Sequence, residues 1–318
     1  MKAILTGITG NLGNEVAVDL ARRGFEIIPI IRSKSLFNPS MYLGIDSVIG
    51  NDLMDDEEVS FSQNVDCIVH CAGVVRFKDA KDANQKMMSK VIGLAKKLQT
   101  SLHYVSTAFL HKSEAGATFN NEYEEDKWAA EQMFISSNIP GTVLRPSILT
   151  GNSQTGEIRN FSGYYLVVKA FLSAIKDSLA KGANLRFPRL HGHTNMVPTD
   201  QAAHAIGDLV QNAQIGMFYV TNPAPPPFSW LLEETLEHFN LKRKVEFLDC
   251  SFRDFGDMDL TDEEKRLFQF GKNFNPYWTL NYNFPNSICE DNLVDRDYLK
   301  KILNYYRNAQ NGISEAKY

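Results

Sequence analysis

The sequence predicts an α/β protein with a doubly wound parallel sheet of about seven strands and a smaller C-terminal α/β region. Over the first two thirds of the chain, short apolar runs that suit buried parallel strands alternate with longer segments of helical periodicity. The first apolar run opens directly into a glycine-rich turn and an amphipathic helix. After a proline-rich boundary at 223–227, the pattern changes to helices with one short strand.

The glycine-rich turn joins the first strand to the first helix. It reads Thr6-Gly7-Ile8-Thr9-Gly10-Asn11-Leu12-Gly13, and Leu12, Val16 and Leu20 then recur at helical spacing. Glycines at these positions allow a tight turn, let the backbone approach a pyrophosphate and let the helix pack closely on the strand. The helix N-terminus presents free N–H groups and a positive dipole end to phosphates. The stretch predicts a Rossmann-type dinucleotide site, with a purely structural turn as the alternative.

Composition and charge exclude several other classes of function. A hydrophobic content of 43% supports a substantial core, and a net charge of −5 spread along the chain indicates neither nucleic acid nor an anionic membrane as a partner. The four cysteines lack zinc-type pairing and suit reduced thiols of a cytosolic protein. The longest apolar passage is interrupted by Lys169, so no membrane span is expected. With a core strand at the N-terminus, we expect no signal peptide and a cytoplasmic location.

The ends of the second and third strands bear on the choice of cofactor. NAD-specific sites place an acidic residue after the second strand, whereas NADP sites place Arg or other donors near the 2′-phosphate. Here Arg32, Ser33 and Lys34 follow the strand, which favours NADP(H) over NAD(H), with a basic surface turn as the alternative. Asp52 follows the third strand, where its carboxylate suits the amino group at the adenine edge.

Small and hydroxyl-bearing residues follow the fourth and fifth strands. Cys71-Ala72-Gly73 ends one apolar run, and residues this small let the backbone approach the ribose and nicotinamide side of a cofactor. The next strand delivers Ser106 and Thr107 at its end. Ligands of open α/β sheets bind beyond the carboxyl ends of the strands, so both hydroxyls are predicted to lie where the chemistry occurs.

Tyr123 and Lys127 form the predicted catalytic pair. A separation of four residues places them on one face of a helix, one turn apart. A phenol with a pKa near 10 is a poor acid or base at neutral pH, and a neighbouring ammonium would lower that pKa. The pair alone occurs by chance as surface residues, but after the glycine turn and the Ser-Thr strand end it is the preferred catalytic pair.

The remaining chain is predicted to select the substrate. We predict an NADP-binding Rossmann domain over residues 1–155, completed by 198–222, and a substrate-binding region made of 156–197 and 223–318. The His191-x-His193 pair has no accompanying acidic or cysteine cluster, so no metal site is predicted. Four late aromatic residues suit either the wall of an apolar substrate site or domain packing: Tyr277, Trp278, Tyr282 and Phe284.

Five motifs together resemble the extended short-chain dehydrogenase/reductase superfamily. TGITGNLG, HCAG, STA, YEEDK and RPS occur in that order at suitable intervals over about two thirds of the chain. Within the superfamily, the chain is most similar to the thioester reductase and male-sterility-type fatty acyl reductase branch. VHCAGVVRF, HYVSTAFL, NEYEEDKWAAEQ, LRPSILTGNSQTGE and NMVPTDQAAHAI carry this narrower likeness.

The resemblance implies a site and a reaction. Its catalytic Ser/Thr-Tyr-Lys set would be Thr107, or Ser106 beside it, with Tyr123 and Lys127. The implied cofactor contacts are Thr6, Gly7, Thr9, Gly10, Asn11, Leu12, Gly13, Arg32, Asp52, Ala72, Lys127 and the segment beginning at Pro146. We expect hydride transfer from NADPH to a carbonyl or acyl thioester, free or carrier-bound, with Tyr123 supplying the proton. A homodimer through the helices at 81–100 and 123–138 is common in the resembling family.

Two other functions remain open from the sequence. A nucleotide-sugar epimerase or dehydratase of the same superfamily would recycle its cofactor and usually use NAD. A non-catalytic protein that senses NADP would commonly lack the tyrosine or the lysine, and both are present here.

Overall fold

The computed structural model describes residues 1–32, 37–75, 81–115, 118–289 and 293–315. The strands and helices, numbered in chain order within each type, have the following bounds. The strands are β1 Lys2–Thr6, β2 Glu26–Ile31, β3 Ile49–Gly50, β4 Cys67–His70, β5 Ser101–Val105, β6 Gly141–Pro146, β7 Ile148–Thr150, β8 Leu185–Pro188, β9 Met196–Pro198, β10 Gly216–Val220 and β11 Val245–Leu248. The helices are α1 Asn11–Arg22, α2 Ala83–Leu98, α3 Glu122–Ser136, α4 Tyr164–Ala180, α5 Thr199–Gln211, α6 Phe228–His238, α7 Phe252–Gly256, α8 Asp262–Trp278 and α9 Arg296–Glu315.

A seven-stranded parallel sheet forms the first of two compact units, which comprises residues 1–149, 199–221 and 284–289. The strand order is β10-β6-β5-β4-β1-β2-β3. β1 pairs with β2 on one side and with β4 on the other, so the direction of winding reverses between β1 and β4. The predicted doubly wound sheet is confirmed, and the reversal marks the crevice where such sheets bind ligands.

Helices pack on the sheet through the apolar stripes that the sequence predicts. α1 packs against α5, and α2 packs against α3. Met88 and Val91 of α2 are fully buried in one cluster with Ile4, Ile68 and Leu102 from three adjacent strands. The strands are continuous apolar runs because helices cover the parallel sheet.

Arg145 of β6 is the largest fully buried side chain in the described chain. Its Nη2 lies 2.5 Å from Oε1 of Glu131 on α3, and its Nη1 donates to the Tyr219 hydroxyl at 2.7 Å. The Tyr219 hydroxyl is in turn hydrogen-bonded to His111 Nδ1 at 3.0 Å. Phe284 stacks on Tyr219 with ring centroids 5.9 Å apart, so a segment late in the chain adjoins the β10 edge of the sheet.

The second compact unit comprises 150–198, 222–283 and 290–318, of which 290–292 and 316–318 lie outside the described residues. β8 and β11 pair in parallel, α4 packs against α8, and α6 packs against α9. Trp278 is 2% exposed and stacks on Phe228 at 5.3 Å, so this late aromatic residue serves packing. The assignment of cofactor and substrate roles to the two units stays a prediction, as does the homodimer.

The second unit contains short elements that the sequence analysis does not anticipate. Strands β8 and β9 and helix α7 are three to five residues long, too short to show a period. Helix α8 continues through Pro276 near its C-terminal end at Trp278. Within the described chain, none of the helices combines the length and apolar character needed to cross a membrane.

Replacing Arg145 with Met should reduce the free energy of unfolding by about 3–5 kcal/mol, because the Glu131 carboxylate would stay buried without its guanidinium partner. Urea unfolding followed by circular dichroism measures the change. Arg266→Met, which removes an ion pair with Asp177 whose arginine side chain is 61% exposed, is the control and should change stability by less than about 1 kcal/mol. Adding Glu131→Gln to Arg145→Met should recover part of the loss, and equal effects of the two arginine substitutions would contradict the prediction.

Candidate active site

The glycine turn after β1 packs directly against the backbone that follows β4. Gly7 has a φ of +76°, and a Cβ added to it would lie 2.6 Å from the backbone nitrogen of Ala72. A Cβ on Gly13 would lie 2.2 Å from the Gly7 carbonyl oxygen, while Gly10 N–H donates to that same oxygen at 2.9 Å. Gly7 and Gly13 therefore have no room for a side chain, which agrees with the roles predicted from their spacing.

The N-terminus of α1 has the properties of an anion site. Its N-cap residue, Gly10, makes no side-chain capping bond, and the first turn contains no acidic residue. The N–H groups of the first helical turn and the positive dipole end therefore lie at the glycine turn, which we call the glycine cradle and which fits the pyrophosphate of a dinucleotide. Thr9 is exposed and Asn11 half-buried, whereas the Leu12 side chain is buried in the core, which leaves its backbone for ligand contact.

Thr6 ties the ends of β1 and β4 together. Its hydroxyl is hydrogen-bonded to His70 Nδ1 at 2.7 Å and accepts from the Ala72 N–H at 3.1 Å. Burial, together with the nearby charge of Lys127, lowers the pKa of His70 to about 3, so the imidazole is neutral. Thr6 and His70 thus act on the backbone beside the site, and Ala72 lies against Gly7 as expected from its small size.

Helix α3 presents Tyr123 and Lys127 toward the strand ends. The helix begins after Asn121, whose side chain accepts from the Glu124 N–H at 3.1 Å, and its acidic first turn suits the dipole. Lys127 is 4% exposed, its Nζ donates to the Val105 carbonyl at 2.7 Å, and it lies 4.5 Å from the Tyr104 ring centroid. Burial lowers the pKa of Lys127 to about 8, although Glu131, Asp126 and Cys71 act to raise it.

Tyr123 is hydrogen-bonded to the side chain of Thr107. Burial raises the pKa of Tyr123 to about 12, the Thr107 hydrogen bond lowers it, and the charge of Glu124 raises it. The pKa of Tyr123 is thus raised where the sequence analysis expected Lys127 to lower it, because desolvation of the phenolate outweighs the Thr107 hydrogen bond. Tyr123 therefore keeps its proton at neutral pH.

Buried hydroxyls without partners lie along the same edge of the sheet. The side-chain oxygens of Ser106, Ser147 and Thr221 are buried and make no hydrogen bond within the described chain. These residues follow β5, β6 and β10, which are adjacent strands, so a bound ligand with polar groups could satisfy them. Thr107, rather than Ser106, carries the hydrogen bond to Tyr123.

Three further predicted cofactor residues lie at strand ends. Arg32 follows β2 and is exposed, while Ser33 and Lys34 lie outside the described residues. Asp52 follows β3, and its Oδ1 accepts from the Met54 N–H at 2.9 Å. Pro146 is the buried last residue of β6, paired with Val220. No group of three or more His, Cys, Asp or Glu side chains in the described ranges could hold a metal ion.

Two further residues shape this site: Gly73, which the sequence analysis names among the small residues after the fourth strand, and Asp126, which it missed. A Cβ on Gly73 would lie 3.5 Å from Lys127 Nζ and 3.1 Å from Asn84 Oδ1. Because Gly73 has no side chain, both of these residues can lie close to its backbone. Asp126 is 1% exposed and bonds to α2, about forty positions away. No local spacing signals a partner at that separation.

A family model described as male sterility protein, an NAD-binding family, matches residues 52–118 and 112–206. A hybrid PKS-NRPS synthetase, pydA from an Acremonium species, is 24% identical over 244 residues. That match takes in 66% of this chain and 6% of the synthetase, so the chain spans a small part of this relative.

Solved structures share the fold at low sequence identity. The terminal R domain of the myxalamid PKS-NRPS pathway has a TM-score of 0.69 and 20% identity, over 95% of this chain and 89% of that domain. A thiolation-reductase di-domain of an archaeal non-ribosomal peptide synthetase gives 0.71 and 15%, over 97% and 75% of the two chains. A UDP-glucose 4-epimerase gives 0.62 and 13%, over 98% and 99%.

Replacing Gly7 with Ala should weaken dinucleotide binding by at least about tenfold and lower the melting temperature, because the new methyl group meets the Ala72 backbone. Titration with NADPH, followed by cofactor fluorescence, and a thermal melt measure the two effects. Gly93→Ala is the matched control, since nothing lies within 4 Å of a Cβ at that helical position, and it should leave affinity unchanged. An unchanged affinity of Gly7→Ala for NADPH would contradict the predicted role of the glycine turn in binding the cofactor.

Proposed function

Because the matched part of the chain belongs to the male-sterility-type family of the extended short-chain dehydrogenase/reductase superfamily, we propose that the protein is an NADP(H)-dependent reductase of a carbonyl or acyl thioester. The protonated Tyr123 hydroxyl, hydrogen-bonded to Thr107 one helical turn from Lys127, is the observation that carries the proposal. The glycine cradle at the switch point fits the cofactor phosphates, and nicotinamide supplies the hydride when bound.

Tyr123 acts as the proton donor in this reaction. Thr107 holds the phenol through its hydrogen bond, and a substrate carbonyl oxygen placed beside both hydroxyls would take the proton of Tyr123 as negative charge develops. With a pKa of about 12, the Tyr123 hydroxyl stays protonated at physiological pH. The raised pKa thus suits the reducing direction.

Lys127 supports the proton donor and the cofactor ribose. Its hydrogen bond to Val105 and its position over Tyr104 direct the buried ammonium to the space beside Gly73. From there it would donate to ribose hydroxyls and restore the proton to Tyr123 after turnover. Its pKa of about 8 makes a proton available near neutral pH.

The substrate class rests on the relatives. Two of the similar structures are named as reductase domains of peptide or polyketide synthetases, and one of these carries a thiolation domain. They support an acyl thioester presented on a carrier, for which the products would be an aldehyde and a free thiol. A free ketone or aldehyde would give an alcohol by the same proton and hydride transfers.

A second candidate is a nucleotide-sugar epimerase, which the fold likeness to UDP-glucose 4-epimerase favours. Such an enzyme would return the hydride to the sugar and leave the cofactor unchanged over a cycle. Stoichiometric oxidation of NADPH with a thioester or carbonyl substrate separates the two functions. Epimerisation of a UDP-sugar without net NADPH oxidation would support the second.

Tyr123→Phe should reduce kcat by about 10²–10⁴-fold, because the ring stays in place while the transferable proton is lost. The measurement is NADPH oxidation at 340 nm with a short-chain acyl thioester, an aldehyde and a ketone. Phe109→Tyr, which leaves the catalytic set intact, serves as a tyrosine-composition control. Retention of most of the turnover in Tyr123→Phe would eliminate the proposed donor.

Arg32→Ala should raise the dissociation constant for NADPH by about tenfold and change that for NADH by less than about twofold, because the lost guanidinium would bind the 2′-phosphate. Isothermal titration with both cofactors gives the ratio. Arg22→Ala removes another exposed arginine, at the end of α1, and should leave both constants unchanged. A parent protein that prefers NADH would overturn the assignment to NADP(H).

A further inference from the structure

The Asp126 carboxylate is a buried junction between α3 and the start of α2. Its Oδ2 accepts from the backbone N–H and the side-chain amide of Asn84, at 2.8 Å and 2.7 Å. Its Oδ1 accepts from the backbone N–H and the side-chain amide of Gln85, at 3.3 Å and 3.1 Å. One carboxylate therefore accepts hydrogen bonds from two backbone N–H groups and two side-chain amides, all in the first turn of α2.

Asp126 caps the N-terminus of α2 in place of a local N-cap side chain. The N-cap residue of α2, Asp82, makes no side-chain capping bond and instead forms an exposed ion pair with Lys86 at 3.2 Å. A negative charge near free N–H groups of a helix start is favourable, and burial strengthens it. The neighbouring helix thus supplies the cap from a distance in sequence.

Asn84 links Asp126 to the backbone that follows β4. Its Oδ1 accepts from the Val74 N–H at 3.0 Å, and its Nδ2 donates to the Val74 carbonyl at 3.2 Å as well as to Asp126. Because one amide hydrogen goes to each acceptor, Asp126 fixes which way the carboxamide faces. A reversed carboxamide would place its NH₂ group against the Val74 N–H.

The segment held in this way, residues 71–74, is the wall between the glycine cradle and Lys127. At its start, Ala72 N–H donates to Thr6 and lies where a Cβ of Gly7 would collide. At its end, Gly73 lies beside Lys127 Nζ and Val74 is held by Asn84. Its two anchors are thus Thr6 on β1 and the Asn84–Asp126 pair.

We propose that Asp126 is a positioning residue that, through Asn84, holds segment 71–74 in the shape that binds the cofactor. The importance of that shape for turnover rests on the proposed function. Asp126 touches neither substrate nor reacting atoms in this role. Its effect is on the affinity for the cofactor more than on the rate of the chemical step.

Asp126→Asn tests the proposal in the full chain. The amide keeps the size of the side chain but turns one acceptor into a donor that faces N–H groups of α2. We expect the amide hydrogen of Val74 to exchange about tenfold faster in the cofactor-free protein, and the dissociation constant and KM for NADPH to rise about tenfold. With saturating NADPH, and at a pH well below the pKa of Lys127, which the Asp126 charge helps to raise, kcat should stay within about threefold of the parent value.

Two further variants sharpen the test. Glu125→Gln makes the same change of charge at an exposed neighbour and should alter neither exchange nor affinity. Asn84→Ala leaves the backbone cap of α2 intact, and its effect on NADPH affinity should not add to that of Asp126→Asn, since both act on one path. If Asp126→Asn fails to fold, Asn84→Ala alone must still speed Val74 exchange and weaken NADPH binding.

The outcomes separate this proposal from the proposed function. Unchanged Val74 exchange and unchanged NADPH affinity in folded Asp126→Asn, or strictly additive effects with Asn84→Ala, would overturn the positioning role. If Asp126→Asn speeds the exchange of the Val74 amide while the parent protein reduces no carbonyl or thioester, the anchorage would be supported and the proposed reaction rejected. A fall in kcat with an unchanged KM would also count against the positioning role.

Discussion

The close approach of two backbones, at Gly7 and Ala72, is the constraint on which the candidate site depends. Parallel pairing brings the ends of β1 and β4 side by side, and the turn after β1 must then pass the segment after β4 with no side chain between them. Only with that contact does the N-terminus of α1 face the same space as Lys127. The glycine turn and helix α3 therefore share one wall, the segment 71–74.

Buried charges on α3 and β6 stabilise the far side of that wall. The buried charges are Glu124, Asp126, Lys127, Glu131 and Arg145, three negative and two positive groups, each at most 4% exposed and each hydrogen-bonded. An isolated charge would be costly at such burial, whereas paired and hydrogen-bonded charges are tolerated. Lys127 has the least direct compensation, since its Nζ donates to the Val105 carbonyl rather than to a carboxylate. Its lowered pKa is the result, and the same desolvation leaves it able to release a proton.

The sequence was sufficient to predict the central sheet because its signals are local. Gly7 to Gly13, the apolar strands and the stripe of α2 each depend on residues a few positions apart, and the sheet, the turn and the family resemblance are confirmed. The capping of α2 by Asp126 and the return of Phe284 to the sheet join distant parts of the chain. Neither has a period or a motif, so the fold had to be known first. The pKa of Tyr123 also required structure, because burial cannot be read from a four-residue spacing.

The raised pKa of Tyr123 favours the reducing direction of the proposed reaction. A phenol that must remove a proton from an alcohol works as a phenolate, which a neighbouring cation favours and burial opposes. In this structure burial prevails and the hydroxyl stays protonated, with Thr107 as its hydrogen-bond partner. In the proposed reaction, this protonated hydroxyl would give its proton to an oxygen that gains negative charge as hydride arrives. Reduction needs no prior deprotonation of Tyr123, whereas oxidation would first have to overcome the desolvation that the fold imposes.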